Sequence, residues 1–190
     1  SDASEKKIAR LMVGSETQKV SAKRIKPGGP ILSLNEISVA GQSKRDSLHD
    51  VNLILNSNEI LGIAGISGNG QNVLADLISG LVAPDRGSIV LKGVAIENIS
   101  PFNMIKSGFG RIPEDRHRQG IVGGLSVSEN MIIERLDDPQ IQNFGFLRSS
   151  VINENAKILS EKYDVRGPGI DQASRLLSGG NIQKLILARV

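Results

Sequence analysis

The segment from Glu59 to Leu74 constrains the fold of this chain more than any other part of the sequence. It joins a short apolar run, Ile60–Ala64, to a turn with glycine at positions 65, 68 and 70, and then to an amphipathic helix. Such a run is typical of a strand buried on both faces of a parallel sheet. Glycines let main-chain N–H groups approach an anion closely. The segment therefore predicts a buried strand, a glycine turn and a helix N-terminus, which together form a phosphate cradle.

The spacing of these glycines favours one class of phosphate-binding loop. The order G-x-x-G-x-G fits the second half of a P-loop, whereas the dinucleotide fingerprint has the order G-x-G-x-x-G. Gln71 and Asn72 stand where a P-loop has Lys and then Ser or Thr. Because a charge-assisted hydrogen bond is worth roughly 1 to 2 kcal/mol more than a neutral one, the missing lysine weakens phosphate affinity by about one order of magnitude. A tight strand-to-helix turn without a ligand is the alternative interpretation.

Composition argues against several other classes of function. Lys and Arg number 23 against 20 Asp and Glu, and only one Tyr and four Phe are present, so we expect no nucleic-acid surface. The chain has no apolar stretch of membrane-spanning length and no signal-peptide pattern near Ser1, which predicts a soluble protein. With no cysteine, it can form neither disulfides nor thiolate metal sites.

The hydrophobic pattern predicts one domain after an N-terminal tail and linker. Residues 1–30 contain a short amphipathic helical pattern and end in a polar, basic stretch closed by Pro27-Gly-Gly-Pro30. Two alternating apolar runs then predict an antiparallel β element at 31–39 and 51–55. Further expected elements are a strand at 87–93, a helix at 101–107 capped by Ser100, a strand at 109–112 and a charged loop at 113–120.

The C-terminal half is predicted to be mostly helical. Ser126 and Glu129 have capping-box spacing, and a second helix is expected over Ser149–Tyr163. Ser178 can cap a third helix whose first N–H groups, at residues 179–181, could hold an anion. An ordinary glycine-containing N-cap is the alternative there.

Taken together, the glycine loop (residues 65–72) and the later Leu177-Ser-Gly-Gly-Asn181 resemble the motifs of ATP-binding cassette (ABC) ATPases, with Gly87-Ser-Ile between them. The resemblance covers residues 31–190 and is closest to the second, degenerate cassette of double-cassette sugar and nucleoside importers. Three motifs carry this closer resemblance: Gly65-x-x-Gly-Asn-Gly-Gln71, Ile112-Pro-Glu-Asp-Arg-His117 and Leu177-Ser-Gly-Gly-Asn-x-Gln-Lys184.

The resemblance implies a fold and a domain arrangement. It implies an α/β P-loop NTPase core with an N-terminal antiparallel β element and an inserted helical subdomain at about 121–180. Residues 31–190 would be the nucleotide-binding domain, and residues 1–30 would be the tail of a preceding cassette and a linker, since 8–14 are similar to the last helix of a first cassette.

The resemblance also assigns roles by position, with ATP and Mg²⁺ as cofactors. Glu114 stands at the Q-loop position, and Asn72 and Glu114 are weak candidates for metal binding. The chain departs from the family where Ala40 and Gly41 offer no aromatic side chain to stack on adenine. The Walker A residues would be Gly65, Ser67, Gly68, Asn69, Gly70, Gln71 and Asn72, and the signature motif (residues 178–181) would be Ser178, Gly179, Gly180 and Asn181.

The family's Walker B aspartate, catalytic glutamate and switch histidine would all lie beyond Val190. We therefore expect no catalytic residue within this chain, and no hydrolysis by the chain alone. Both histidines, His49 and His117, precede the signature motif, and each is expected to be a surface residue.

Cassettes of this family pair head to tail, so one Walker A loop meets the opposing signature motif. The hypothesis is that this chain supplies its signature motif to a competent site on a partner cassette, while its own glycine loop forms a weak site. The loop 113–125 would face a transmembrane permease, placing the protein in the cytoplasm, peripheral on the inner face of the membrane. The alternatives are a non-catalytic regulatory cassette and a cassette ATPase unconnected with transport; the solute cannot be deduced, since specificity resides elsewhere.

Overall fold

The computed structural model describes residues 25–43, 45–66 and 68–190. The helix predicted near residues 8–14 and most of the expected linker lie outside these ranges. The strands are β1 Pro30–Val39, β2 Leu48–Asn56, β3 Arg86–Leu91, β4 Val94–Ala95, β5 Gln142–Asn143 and β6 Phe146–Leu147. The helices are α1 Gln71–Ile78, α2 Pro101–Lys106, α3 Val127–Ile132, α4 Ser149–Lys162 and α5 Gly179–Arg189, with a π-helical turn at Arg116–Gly120 and a 3₁₀ turn at Ser174–Leu176.

The predicted antiparallel element is confirmed and is part of a four-stranded sheet in the order β2-β1-β3-β4. β1 lies between β2 and β3, and its central Leu34 pairs with Leu53 on one side and Ile89 on the other. Gly87 has φ +94°, and a Cβ there would overlap the backbone of Asn35 and Glu36, so the entry into β3 requires glycine. The inward side chains of this sheet form the first apolar cluster of the protein.

Helices α1 and α2 close this first cluster. Leu74 and Leu77 of α1 and Met104 of α2 are buried with the sheet residues. Ser100 accepts the N–H of Asn103 and so caps α2 as the sequence predicts. The sheet and these two helices therefore fix the position of the glycine loop, which precedes α1 directly.

The predicted buried strand at Ile60–Ala64 is wrong. Residues 59–66 have no regular structure, and Ile60 is 98% exposed while Ile63 is 54% exposed. The strand predicted at Phe109–Ile112 is also absent from the described residues. A strand needs at least one neighbouring strand to pair its N–H and C=O groups, and no strand in the described part of the chain pairs with either segment.

The C-terminal half is mostly helical, as predicted, and its helices pack around a second apolar cluster. It joins α3, α4 and α5, with Met131, Ala156, Ile182 and Leu185 among its buried members. The capping box at the start of α3 is confirmed: Ser126 Oγ accepts the N–H of Glu129, whose carboxylate accepts the N–H of Ser126. The N–H of Ser126 lowers the pKa of this carboxyl.

Two ion pairs connect the first cluster to the chain beyond it. Arg111 Nη2 lies 3.1 Å from Asp76 Oδ1 of α1, and Lys106 Nζ of α2 lies 2.6 Å from Asp137 Oδ2. None of the helices in the described ranges is both long enough and apolar enough to span a membrane.

Asn130 of α3 is the polar centre of the second cluster. Its side chain is fully buried, its Oδ1 accepts the N–H of Val122 at 2.8 Å, and its Nδ2 donates to Ser174 Oγ at 3.0 Å. Nδ2 also lies 2.9 Å from the carbonyl oxygen of Ser126. One amide therefore holds together the start of α3, the preceding loop and the 3₁₀ turn that leads to α5.

Replacing Asn130 with alanine should lower the free energy of unfolding by about 1 to 3 kcal/mol, because buried backbone and hydroxyl groups lose their partners. Urea denaturation of the two proteins measures this loss. Asn143→Ala, on the exposed strand β5, is the matched control and should change stability by no more than about 0.5 kcal/mol. Equal effects of the two substitutions would show that Asn130 does not organise this cluster.

Candidate functional site

The glycine loop forms a turn into a helix N-terminus, as its sequence indicates. Gly68 and Gly70 have φ values of +85° and +86°, which side chains disfavour, and Gly70 is the N-cap of α1. The first N–H groups of a helix have no acceptor inside it, so those at the start of α1 are directed out of the helix end. Ser67 lies outside the described residues. The geometry is that of an anion-binding turn.

The side chain of Gln71 folds back over this turn. Its Nε2 donates to the carbonyl oxygen of Ile66 at 3.0 Å, and its Oε1 accepts the N–H of Asn69 at 3.2 Å. A Cβ on Gly65 would overlap Gln71 Nε2, so glycine at position 65 makes room for the amide. The side-chain amide of Gln71 therefore fills part of the turn. It also accepts the N–H of Asn69, which could otherwise donate to a phosphate.

Asn72 and Glu114, the weak metal candidates, line the same cavity of about 910 Å³. The cavity lies between α1 and residues 109–119, and both side chains are exposed. One amide oxygen and one carboxylate suit Mg²⁺, which commonly uses one or two carboxylates together with phosphate oxygens. In the described ranges no group of three His, Asp or Glu side chains could hold a metal ion by itself. These residues therefore fit a metal that arrives with a nucleotide.

The signature motif caps α5. Ser178 Oγ accepts the backbone N–H of Asn181 at 3.4 Å and its Nδ2 at 2.9 Å, as the predicted N-cap requires. Asn181 Oδ1 in turn accepts the N–H of Arg166 at 2.9 Å. Asn181 therefore holds the start of α5 against the segment that contains Arg166, while Ser178 and Gly180 remain exposed.

The backbone conformation at positions 179 and 180 does not require glycine. Both lie in the first turn of α5 without a positive φ. A Cβ on Gly180 would meet no described atom within 4 Å, and one on Gly179 would meet only His117 Nε2 at 3.7 Å. Since glycine inside a helix costs roughly 0.5 to 1 kcal/mol relative to alanine, folding alone does not favour two glycines here. The bare helix end suits close approach by a group from outside the chain.

The loop predicted at 113–120 contains a π-helical turn that contacts the signature motif. Asp115 caps this turn by accepting the N–H groups of His117 and Arg118 at 3.2 and 3.0 Å. Arg116 Nη1 donates to Gln183 Oε1 at 2.8 Å and to the carbonyl oxygen of Gly179 at 3.4 Å. The sequence gives a local signal for the Asp115 cap, but none for a pair separated by 67 positions.

Residues 48–190 match the family model described as ABC transporter. The chain is 36% identical over 189 residues to the guanosine import ATP-binding protein NupO of Bacillus subtilis, covering 99% of this chain and 37% of that protein. It is 38% identical to the glucose import ATP-binding protein TsgD13 of Haloferax volcanii, covering 100% of this chain and 35% of that protein. The chain thus spans little more than a third of the length of these relatives.

Solved structures show the same fold. A dimeric, post-hydrolysis structure of the ATP-binding cassette MJ0796 bound to ADP and Pi has a TM-score of 0.61 at 18% identity, over 84% of this chain and 68% of that one. A nucleotide-free ATP-binding cassette from an ABC transporter has a TM-score of 0.63 at 20% identity, over 84% of this chain and 64% of that one. The predicted α/β P-loop NTPase class, with its antiparallel element, is confirmed.

Proposed function

The chain belongs to the ABC transporter family, and from this premise we propose that it is the ATP-binding part of an importer for a nucleoside or a sugar. Support comes from relatives named for the import of guanosine, nucleosides and glucose. We place the nucleotide-binding domain at residues 31–190 and the helical subdomain at about 121–180. Buried residues between 121 and 177 form most of the second apolar cluster, and α5, which begins at the end of this subdomain, packs against them.

In this proposal the signature motif acts on a second cassette. The observation that carries it is the bare N-terminus of α5, where two glycines have no conformational or steric reason to be glycine among the described residues. Removing the side chains there lets a phosphate approach the N–H groups and the positive end of the helix dipole. We infer that the phosphate is that of ATP held by the Walker A loop of the partner cassette in a head-to-tail pair.

The glycine loop of this chain would form the weaker site of that pair. Gln71 brings no charge to a phosphate, and its amide accepts the N–H of Asn69. An incoming phosphate must displace this amide before it can accept all the N–H groups of the loop. Gln71 therefore weakens the site in two ways: it carries no positive charge, and its amide competes with the phosphate for an N–H group. Asn72 and Glu114 could hold Mg²⁺ beside a nucleotide bound there.

The asymmetry predicts opposite outcomes for two substitutions in the complete transporter. Gly180→Asp should lower ATP hydrolysis by at least about a hundredfold, because a carboxylate there repels the phosphate that the helix end would otherwise hold. Gln71→Ala should leave the rate within about twofold, because this glycine loop contributes little to turnover. Steady-state phosphate release measures both rates.

Folding controls accompany this experiment. An aspartate in the first turn of α5 meets no other described atom, and its negative charge interacts favourably with the positive end of the helix dipole. Gly180→Asp should therefore keep the midpoint of thermal unfolding of the parent protein. Gly29→Asp, at another exposed glycine with open space, should change neither midpoint nor rate. The reverse pattern, with Gln71→Ala inactive and Gly180→Asp active, would contradict the proposed asymmetry. Full activity of both variants would favour a cassette that is regulatory only.

We further propose that the loop from Pro113 to Leu125, with the start of α3, faces a transmembrane permease and so holds the protein at the cytoplasmic side of the membrane. Arg118 and Val122 are exposed on this loop, and Val122 is 47% exposed. A cation and an exposed apolar side chain on one loop suit a surface that docks against another protein.

Arg118→Glu should weaken association with the permease by about tenfold, because reversing the charge opposes the complementarity of the two surfaces. Co-purification of the solubilised permease with the tagged ATP-binding protein measures this loss. Arg148→Glu, at the exposed N-cap of α4, reverses an equivalent charge elsewhere and should have no effect. Unchanged recovery of the permease with Arg118→Glu would exclude this loop as the interface.

A further inference from the structure

The π-helical turn Arg116–Gly120 is fastened to α5 at both of its ends. At the first end, Arg116 reaches Gly179 and Gln183. At the second end, the carbonyl oxygen of Gly120 accepts Arg189 Nη1 at 3.0 Å, and a Cβ on Gly120 would overlap the side chain of Ile186. The turn therefore lies close against α5, from the first residue of that helix to its last.

The C-terminal fastening is the more deeply buried of the two. The side chain of Arg189 is 7% exposed, and its Nε lies 2.8 Å from Glu134 Oε1 in a charge contact whose angle is not that of a hydrogen bond. Because the guanidinium group is neutralised by Glu134 while it holds Gly120, this end of the turn serves as an anchor. With its C-terminal end held in this way, the π-helical turn keeps Arg116 within reach of the signature motif.

Arg116 acts on one particular peptide group. The carbonyl oxygen that it contacts belongs to Gly179, and the planar peptide containing this C=O also contains the N–H of Gly180. Since the two groups point in opposite directions across one rigid plane, a donor on the Gly179 oxygen fixes the direction of the Gly180 N–H. The contact also polarises that N–H as a donor. Two adjacent glycines have the greatest backbone freedom, so this peptide has the most to gain from an outside support.

We propose that Arg116 is a positioning residue for the signature motif, holding the Gly179–Gly180 peptide in the orientation in which its N–H meets a phosphate. This inference rests on the proposed function, because it assigns a role in the same site. Gln183 is the second acceptor of the guanidinium group and keeps Arg116 directed at the start of α5. Nη1 of Arg116 donates to both acceptors, and the planar guanidinium group holds its N–H bonds in fixed directions, which a lysine ammonium on a flexible stem does less rigidly.

The test measures kcat, ATP affinity and thermal stability of the complete double-cassette protein assembled with its permease. Arg116→Gln should lower kcat by about ten- to hundredfold, since a small misplacement of a group in a site has an effect of that size. Binding of a fluorescent ATP analogue should change by less than about twofold, because the Walker A loops supply most of the ground-state contacts. The thermal midpoint should stay within about 2 °C of the parent.

Four further variants separate positioning from a general structural role. Arg116→Lys should recover part of kcat, because it keeps one charged donor. Gln183→Ala should lower kcat less than Arg116→Gln does, and adding it to Arg116→Gln should cause no further loss, since the two residues act through one contact. Arg148→Gln removes an exposed arginine whose side chain makes no hydrogen bond or ion pair with α5 among the described residues, and it should leave kcat unchanged.

The results can overturn this inference independently of the proposed function. Parent kcat in Arg116→Gln, combined with loss of hydrolysis in Gly180→Asp, would remove the role of Arg116 and keep the role of the signature motif. A fall in kcat that matches a fall in the folded fraction would make Arg116 a structural residue only. Parent activity in Gly180→Asp would instead remove the proposed function.

Discussion

The packing of α5 holds together the second apolar cluster and fixes the site at the start of this helix. Its inner face, with Ile182, Leu185 and Ile186 fully buried, holds the second apolar cluster together. A helix fixed along its length in this way has a fixed N-terminus, and the unpaired N–H groups there become a rigid, positively polarised surface. Arg189 anchors the other end through Gly120 and Glu134. The position of the signature motif thus follows from apolar burial many residues away from it.

The starts of α1 and α5 both contain glycines, but they differ in whether a side chain of the protein covers them. Before α1, Gly68 and Gly70 are favoured by their positive φ, and the side chain of Gln71 lies inside the turn that they form. At α5, the glycines have ordinary helical angles, and no side chain crosses Gly180 in the described part of the chain. The side chain of Gln71 thus uses one N–H group of the glycine loop before α1, whereas at α5 Ser178 caps Asn181 and leaves the N–H of Gly180 uncovered by the described side chains. This difference is the structural basis of the proposed division of labour between two nucleotide sites.

Local signals in the sequence were sufficient for much of the fold. The β1–β2 pairing, the Ser100 and Ser126 caps and the start of α5 follow from alternation or capping chemistry over a few residues, and each is confirmed. The predicted strand at Ile60–Ala64 failed because an apolar run becomes a strand only where neighbouring strands pair with it. The contact of Arg116 with Gly179 could not be predicted either, because the packing of α5, not local sequence, brings the two together. The contacts of Gln71 with Ile66 and Asn69 depend on the side-chain rotamer that the turn allows, which no pattern in the sequence indicates.

In the proposed pair of cassettes the two nucleotide sites differ, and turnover takes place at the partner's Walker A loop, completed by the signature motif of this chain. The most direct measurement is vanadate trapping of a photoreactive azido-ATP in the complete transporter, followed by identification of the labelled peptides. We expect the trapped nucleotide on the partner cassette, with little on the peptide that contains residues 65–72, and loss of all trapping in Gly180→Asp. Equal trapped label on both glycine loops, or label on residues 65–72 alone, would show that the two sites do not differ in this way.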